Sequence, residues 1–184
     1  MKLALASRNA SKLRELRSAL PDWDVELIDM PDEAIEDGGT FLENARIKAR
    51  HGRAHVGPGT WVAGEDSGIE VDALGGRPGV ESARWAPDGV ARLLDELAGA
   101  ENRRARYVCE IVVVAPGGEE IVAGGTLEGE VALEPRGSEG FGYDPVFVPL
   151  GRTETVAELG NAWKAAHSHR AQAARKVADA LAVG

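Results

Sequence analysis

The sequence contains a single cysteine, Cys109, set in the apolar run YVCEIVVVA. One thiol cannot build an intramolecular disulfide framework, so a buried, inert side chain in a reducing compartment, the cytoplasm, is expected. Long apolar runs are missing as well. Nowhere do about 18 consecutive apolar residues occur, and the apolar part of the opening MKLALASRNASK is too short for a signal segment, so a soluble protein is expected. Positive charge is in deficit: 21 lysines and arginines face 30 acids, for a net charge of -9 and a pI near 5.0. That balance argues against long nucleic acids and anionic membranes as partners; a phosphate-bearing partner should be small and met by a local basic cluster. No G-x-x-x-x-G-K-[ST] occurs, which excludes a P-loop. Internal repeats, low-complexity tracts and severing linkers are also absent.

What is present suffices for a packed core. With 184 residues, 43% of them hydrophobic, a single domain over residues 1–184 is expected. KLALA reads as a short strand that breaks at Ser7, Arg8 and Asn9, and Leu13, Leu16 and Leu20 then mark an amphipathic helix. Asp24 to Met30 alternates as a second strand. Thr40-Phe41-Leu42-Glu43 is a capping box opening a helix to about His55. Trp61 to Gly64 is a strand leading to two acids, Ile69 to Leu74 alternates, Gly75 to Gly79 is a turn and Val90 to Leu97 a short helix. A meander of antiparallel strands follows: Tyr107 to Ala115, Glu120 to Ala123 after a Gly117-Gly118 turn, then Thr126 to Leu133. Gly140 to Val148 is a loop and strand, and Trp163 to Val183 an alanine-rich helix. The expected class is α/β with an elongated mixed sheet.

Several stretches could carry chemistry. Ser7-Arg8-Asn9-Ala10-Ser11-Lys12 lies where a strand meets a helix N-terminus, whose unpaired N–H groups and partial positive charge suit a phosphate; the alternative is that Ser or Asn only caps the helix. Sixteen of the 21 bases are arginine, and Lys12, Lys48 and Lys164 are three of only five lysines. Lysine in an arginine-rich chain points to positions that need a compact charge. Glu43, Glu65 and Asp66 are acids at element ends, and hard cations such as Mg²⁺ take carboxylate oxygens together with substrate phosphates. Adjacent acids on a strand face opposite sides, so at most one of Glu65 and Asp66 faces a site unless the strand ends between them; the β pattern is expected to break at Ser67-Gly68, where a strand end lets a carboxylate and a hydroxyl project into one cleft. His51 and His55 stand at i and i+4 without the glutamate of a zinc helix and read as a solvated helix face. Lys164 and His169 converge only if the chain between them leaves regular helix. Gly140-Phe141-Gly142-Tyr143-Asp144-Pro145 holds two aromatics suited to stacking on a flat ring, or else packed on the core.

Taken together these stretches resemble one family, the Ham1-type inosine/xanthosine triphosphate pyrophosphatases. The matching segments are SRNASK (7–12), TFLENARIKA (40–49), EDSGIEVDALGGRPGVESARW (65–85), GFGYDPVF (140–147) and KAAHSHR (164–170), in family order. The resemblance implies a homodimeric α/β protein, an elongated, curved mixed sheet flanked by helices, with two lobes and a central cleft. It also implies Mg²⁺-dependent hydrolysis of ITP, dITP and XTP to the monophosphate and pyrophosphate. Carried over, Ser7, Arg8, Asn9, Ala10, Ser11 and Lys12 hold the triphosphate, with Lys48 beside them. Glu43 and Asp66 bind the metal, with Glu65 as a further candidate, and Asp66 accepts a proton. Ser67, Phe141, Gly142, Tyr143, Asp144, Lys164, His169 and Arg170 contact the nucleotide, His169 and Arg170 offering donors to the 6-oxo edge of the base.

A carboxylate on Mg²⁺ is a weak base, so Asp66 either takes the proton or positions a water. The sequence departs from the family in Glu65, where aspartate is frequent, in the short loop after Trp85 and in Ala165, where asparagine is common. Two other classes are the alternatives: the related Maf-type pyrophosphatases, which lack the SHR segment, and a binding module without turnover. Acids facing a polyanion are costly without a metal, which disfavours the latter.

Overall fold

Short apolar runs separated by turn residues do form strands, and the computed structural model describes them over residues 2–182. Strand β1 (Lys2–Leu5) leads into helix α1 (Ala10–Ala19), then β2 (Asp24–Leu27), α2 (Phe41–Arg53), β3 (Trp61–Val71), α3 (Gly89–Glu96), β4 (Arg104–Val114), β5 (Glu120–Val131), β6 (Phe147–Pro149), α4 (Val156–His167) and α5 (His169–Ala182). The six strands form one mixed sheet in the order β2-β1-β3-β4-β5-β6. β1 is parallel to both β2 and β3, while β5 and β6 are antiparallel. No helix among the described residues is long and apolar enough to cross a membrane.

The chain groups into two units, one of Met1–Asp66, Cys109–Gly125 and Arg170–Gly184, the other of Ser67–Val108 and Thr126–His169. The first has cores on both faces of its strands, as strand alternation demands. Leu3, Leu5, Ala63, Cys109, Ile111 and Val113 pack with Leu16 of α1 and with Ala173, Ala174 and Val177 of α5. The alternate residues face α2: Ala45 and Ala49 pack on Val112 and Val114, and Ala4, Ala6 and Val62 join Ile28 and Met30. α2 comes unusually close to the sheet at Gly64, where a Cβ would lie 2.0 Å from the carbonyl oxygen of Ala45 and 2.4 Å from the nitrogen of Ala49. The second unit has its own core of Ile69, Val71, Leu93, Leu97, Tyr107, Val131, Tyr143, Val146 and Phe147.

Three expectations are corrected. β3 does not stop at the acids but runs unbroken from Trp61 to Val71. Gly68 is needed not to end the strand but because a Cβ there would meet Ser82 Oγ at 2.3 Å and the Gly79 carbonyl at 2.5 Å. β5 likewise runs from Glu120 to Val131 through Gly124 and Gly125, because ladder pairing outweighs the weak strand preference of glycine. The alanine-rich segment is two helices: Ser168 leaves helical geometry (φ -62°, ψ 158°), and α4 is itself interrupted at Gly160 (φ 83°). Val183 of the expected helix lies outside the described residues.

Candidate active site

The first helix begins at a cap. Asn9 Oδ1 accepts from the backbone nitrogens of Ser11 (2.9 Å) and Lys12 (3.2 Å), and Ser7 Oγ accepts from Asn9 N. The capping reading therefore holds for Asn9 whatever else the segment binds; Arg8, Asn9 and Ala10 are exposed. Arg8 donates to the carbonyl of Met30 at 3.0 Å. Lys12, one turn in, places its ammonium 2.7 Å from Glu65 Oε2.

Because β3 continues through the acids, Glu65 and Asp66 point to opposite faces, and each meets a different set of partners. Glu65 is fully buried: its Oε1 accepts from Arg170 Nε (3.2 Å) and Nη2 (3.1 Å), and Cys109 Sγ lies at 3.2 Å. Arg170 also pairs with Glu15. Burial pushes the Glu65 carboxyl upward, but Arg170 and then Lys12 outweigh it and hold it well below the usual range. The same burial, with Glu65 beside it, drives the Cys109 thiol well above its ordinary value, so the expectation of an inert thiol fits its setting. Glu65, the further metal candidate, is engaged by two cations and faces away from Asp66. Arg170, only 2% exposed, has its three guanidinium nitrogens on Glu65 and Glu15. Its raised pKa agrees: burial opposes the charge, yet Glu65 and Glu15 more than restore it.

Asp66 faces α2. Lys48 Nζ donates to its Oδ1 at 2.7 Å and reaches the Glu65 carbonyl at 3.3 Å, while Asn44 Nδ2 lies 3.3 Å from Oδ2. Asn44 is itself oriented by the Gly38 N–H, 2.9 Å from its Oδ1. Lys48 also pairs with Glu36 at 2.8 Å. Close approach of α2 at Gly64 is what brings both side chains to this carboxylate. Burial lifts the Asp66 pKa; Lys48 pulls it back without cancelling the rise, to which Glu65 adds. Lys48 is lowered by burial and raised by Asp66 and Glu36, with a net rise. Glu43 is exposed in the first turn of α2 and completes the expected capping box, its Oε2 accepting from Thr40 N at 3.0 Å while Thr40 Oγ1 accepts from Glu43 N.

A second cluster is built on Asp144, which is 1% exposed. Lys164 Nζ donates to its Oδ2 at 2.6 Å, Phe141 N to the same oxygen at 2.8 Å, and Tyr107 Oη to Oδ1 at 3.2 Å. Gly140 permits this, since a Cβ there would sit 2.2 Å from Asp144 Oδ2 and its φ is 81°. Lys164 lies over the Phe141 ring at 4.0 Å, and Tyr107 stacks on His169 with ring centres 4.7 Å apart. The break at Ser168 meets the condition under which Lys164 and His169 could converge: both reach the Tyr107–Asp144 pair. Tyr143 goes the other way, into the core, with its hydroxyl donating to the Ser82 carbonyl at 3.0 Å; the stacking expectation is corrected for this ring. Gly142 is exposed, and Ser67 is half-buried on β3.

The sequence reading missed Asn44, Glu15, Glu36 and Tyr107. Asn44 alone had a local signal, standing one helical turn before Lys48.

Residues 3–180 match the Ham1 family. This chain belongs to that family. It is 48% identical over 189 residues to the dITP/XTP pyrophosphatase of Symbiobacterium thermophilum, covering 98% of this chain and 94% of that one. It is 45% identical over 188 residues to that of Exiguobacterium sp. (strain ATCC BAA-1283 / AT1b), covering 96% and 95%. Among solved structures, the Staphylococcus aureus Ham1 protein superposes with a TM-score of 0.87 at 34% identity, covering 100% of this chain and 99% of that one. The HAM1 protein of Coxiella burnetii does so with a TM-score of 0.86 at 36% identity and full coverage of both. The mixed α/β architecture of this Ham1 family member is thus that of its structural neighbours.

Proposed function

We propose that this chain is a Mg²⁺-dependent pyrophosphatase that cleaves ITP, dITP and XTP between the α and β phosphates, giving the monophosphate and pyrophosphate and clearing these nucleotides from the pool. The relatives' name supports the substrate class, and the observation that carries the chemistry is the buried Asp66 held between Lys48 and Asn44. Lys48 and Asn44 each fix one of its oxygens, which suits a group that orients an attacking water or takes its proton.

Mg²⁺ takes hard oxygens, usually one or two carboxylates completed by phosphates and water. Asp66 and the exposed Glu43 supply such donors, and a Cβ on Gly38 would crowd Asn44 Oδ1 and Glu43 Cβ at 2.7 Å, so the chain beside them is kept open by glycine. The residues fit the ion, which would neutralise charge on the phosphates. Lys48 holds Asp66 and Glu36, and an arriving triphosphate competes for its ammonium, releasing a carboxylate oxygen for the water. Lys12 serves the phosphates from the start of α1, where Glu65 keeps its charge in place. The ring of Phe141, with Lys164, His169 and Asp144, serves the base.

The reading extends to a cytoplasmic homodimer, checked by light scattering of the purified protein. The reaction is tested by chromatography of the products of ITP turnover with and without Mg²⁺. IMP and pyrophosphate are expected; IDP and orthophosphate as first products would overturn the assigned bond.

A further inference from the structure

His51 and His55 read from the sequence as a solvated helix face, but the fold adds a third group. Asp32, in the loop between β2 and α2, brings its Oδ1 to 3.3 Å from His51 Nε2 and 3.9 Å from His55 Nε2. One donor atom from each of the three residues lies within 4.8 Å of the others, the one such set of three or more His, Cys, Asp or Glu among the described residues. The two imidazole centres are 4.9 Å apart and the rings are tilted by 53°, so they are not stacked on one another.

We propose that Asp32, His51 and His55 form a binding site for a borderline-soft divalent cation of the Zn²⁺ type, separate from the acidic site around Asp66. Two nitrogens and a carboxylate suit Zn²⁺, Co²⁺ or Ni²⁺, whereas Mg²⁺ prefers an all-oxygen set. With metal–ligand bonds of 2.0–2.1 Å, tetrahedral donors stand about 3.3 Å apart, so the set needs only small side-chain adjustments to close on an ion. His51 Nε2 is buried and makes no hydrogen bond, so no hydrogen bond competes with an ion for it. Asp32 is 68% exposed, giving the ion an entry path and open positions for water.

The scaffold is held on every side. Gly52 seats the end of α2 on the sheet, where a Cβ would meet Ala6 and Ile28 at 2.7 and 2.8 Å. Arg53 donates to the carbonyls of Thr60 and Gly57, fixing the turn that carries His55. On the other side the loop is pinned by Arg8 at the Met30 carbonyl and by the pairing of Glu36 with Lys48. An ion at this position therefore ties to α2 the same loop that delivers Glu36 to Lys48. It is a brace for the Asp66 environment that takes no part in the chemistry.

The test is calorimetric titration of tag-free protein with Zn²⁺ in excess Mg²⁺, which occupies the hard acidic site, followed by Co²⁺ titration read by visible absorption. One saturable equivalent of Zn²⁺ and ligand-field bands of a low-coordinate Co²⁺ centre are expected, together with a Zn²⁺-dependent rise in melting temperature. His55→Ala and Asp32→Ala should each weaken Zn²⁺ by more than the roughly tenfold that loss of an outer-shell partner costs. The Asp32 side chain is 68% exposed, so the metal-free melting curve of Asp32→Ala should match the parent. Absence of saturable Zn²⁺ uptake, or uptake undiminished in His51→Ala/His55→Ala, overturns the proposal.

Discussion

Glu65 and Asp144 are both buried carboxylates paired with lysine, yet their surroundings differ in kind. Glu65 sits among full charges, with Lys12 on one oxygen and Arg170 on the other. Asp144 accepts from the Lys164 ammonium, the Phe141 backbone N–H and the Tyr107 hydroxyl, with aromatic rings beside this cluster. The first arrangement packs opposite charges closely on the strand next to Asp66. The second holds a carboxylate among neutral donors and aromatic rings. All three lysines that stood out from the arginine-rich background are placed against buried acids, at 2.7, 2.7 and 2.6 Å.

The contrast breaks most sharply at Asp66. Asp66→Asn should lower kcat for ITP by roughly two to four orders of magnitude, the scale of general acid–base effects. Its melting temperature should stay at or above that of the parent, because the fold disfavours the ionised carboxylate. A variant that keeps near-parental kcat removes Asp66 from the reaction.

Glu65→Gln tests the opposite case. It leaves Arg170 and Lys12 without their shared counter-charge, and breaking a buried pair in this way costs about 3–5 kcal/mol, to be read by urea unfolding. The pH dependence has a definite sign. Glu65 is held well below its ordinary 4.5, so its stabilisation is complete above pH 4.5 and is lost as pH falls from there through the folded-state value. Glu65→Gln should flatten that part of the stability profile, and an unchanged acid limb would show that Glu65 does not govern it.

Gly64→Ala separates geometry from charge. The added methyl meets α2 backbone, which has no rotamer to yield, so a cost of about 1–3 kcal/mol is expected with a fall in kcat as Lys48 and Asn44 are lifted from Asp66. Stability and kcat equal to the parent's would refute the close approach.

Tyr107→Phe is the smallest perturbation. Loss of one hydrogen bond to Asp144 should cost about 1 kcal/mol of stability, and on the base-reading assignment it should raise KM for ITP with kcat little changed. A fall in kcat alone would instead tie Tyr107 to the chemical step.

Periodicity and turn residues settled much of this protein locally. The apolar spacing of Leu13, Leu16 and Leu20, the Thr40–Glu43 box and the glycine-rich turn at Phe141 each depend on neighbours a few residues away, so the order of elements and the segments that matter could be read directly. The partners of the charged groups could not. β3 continues through Glu65 and Asp66 because flanking strands supply its ladder, and that continuity sends the two acids to opposite faces. Helix propensity in an alanine-rich segment would carry it through Ser168; the break there places His169 on Tyr107 and Arg170 on Glu65 instead. Arg170 and Glu65 are 105 residues apart, and Lys48 and Asp66 are 18 apart on different elements. Desolvation and charge pairing act through space, so whether a carboxylate is held ionised, raised toward a base or placed beside two histidines was decided only when the sheet and helices packed.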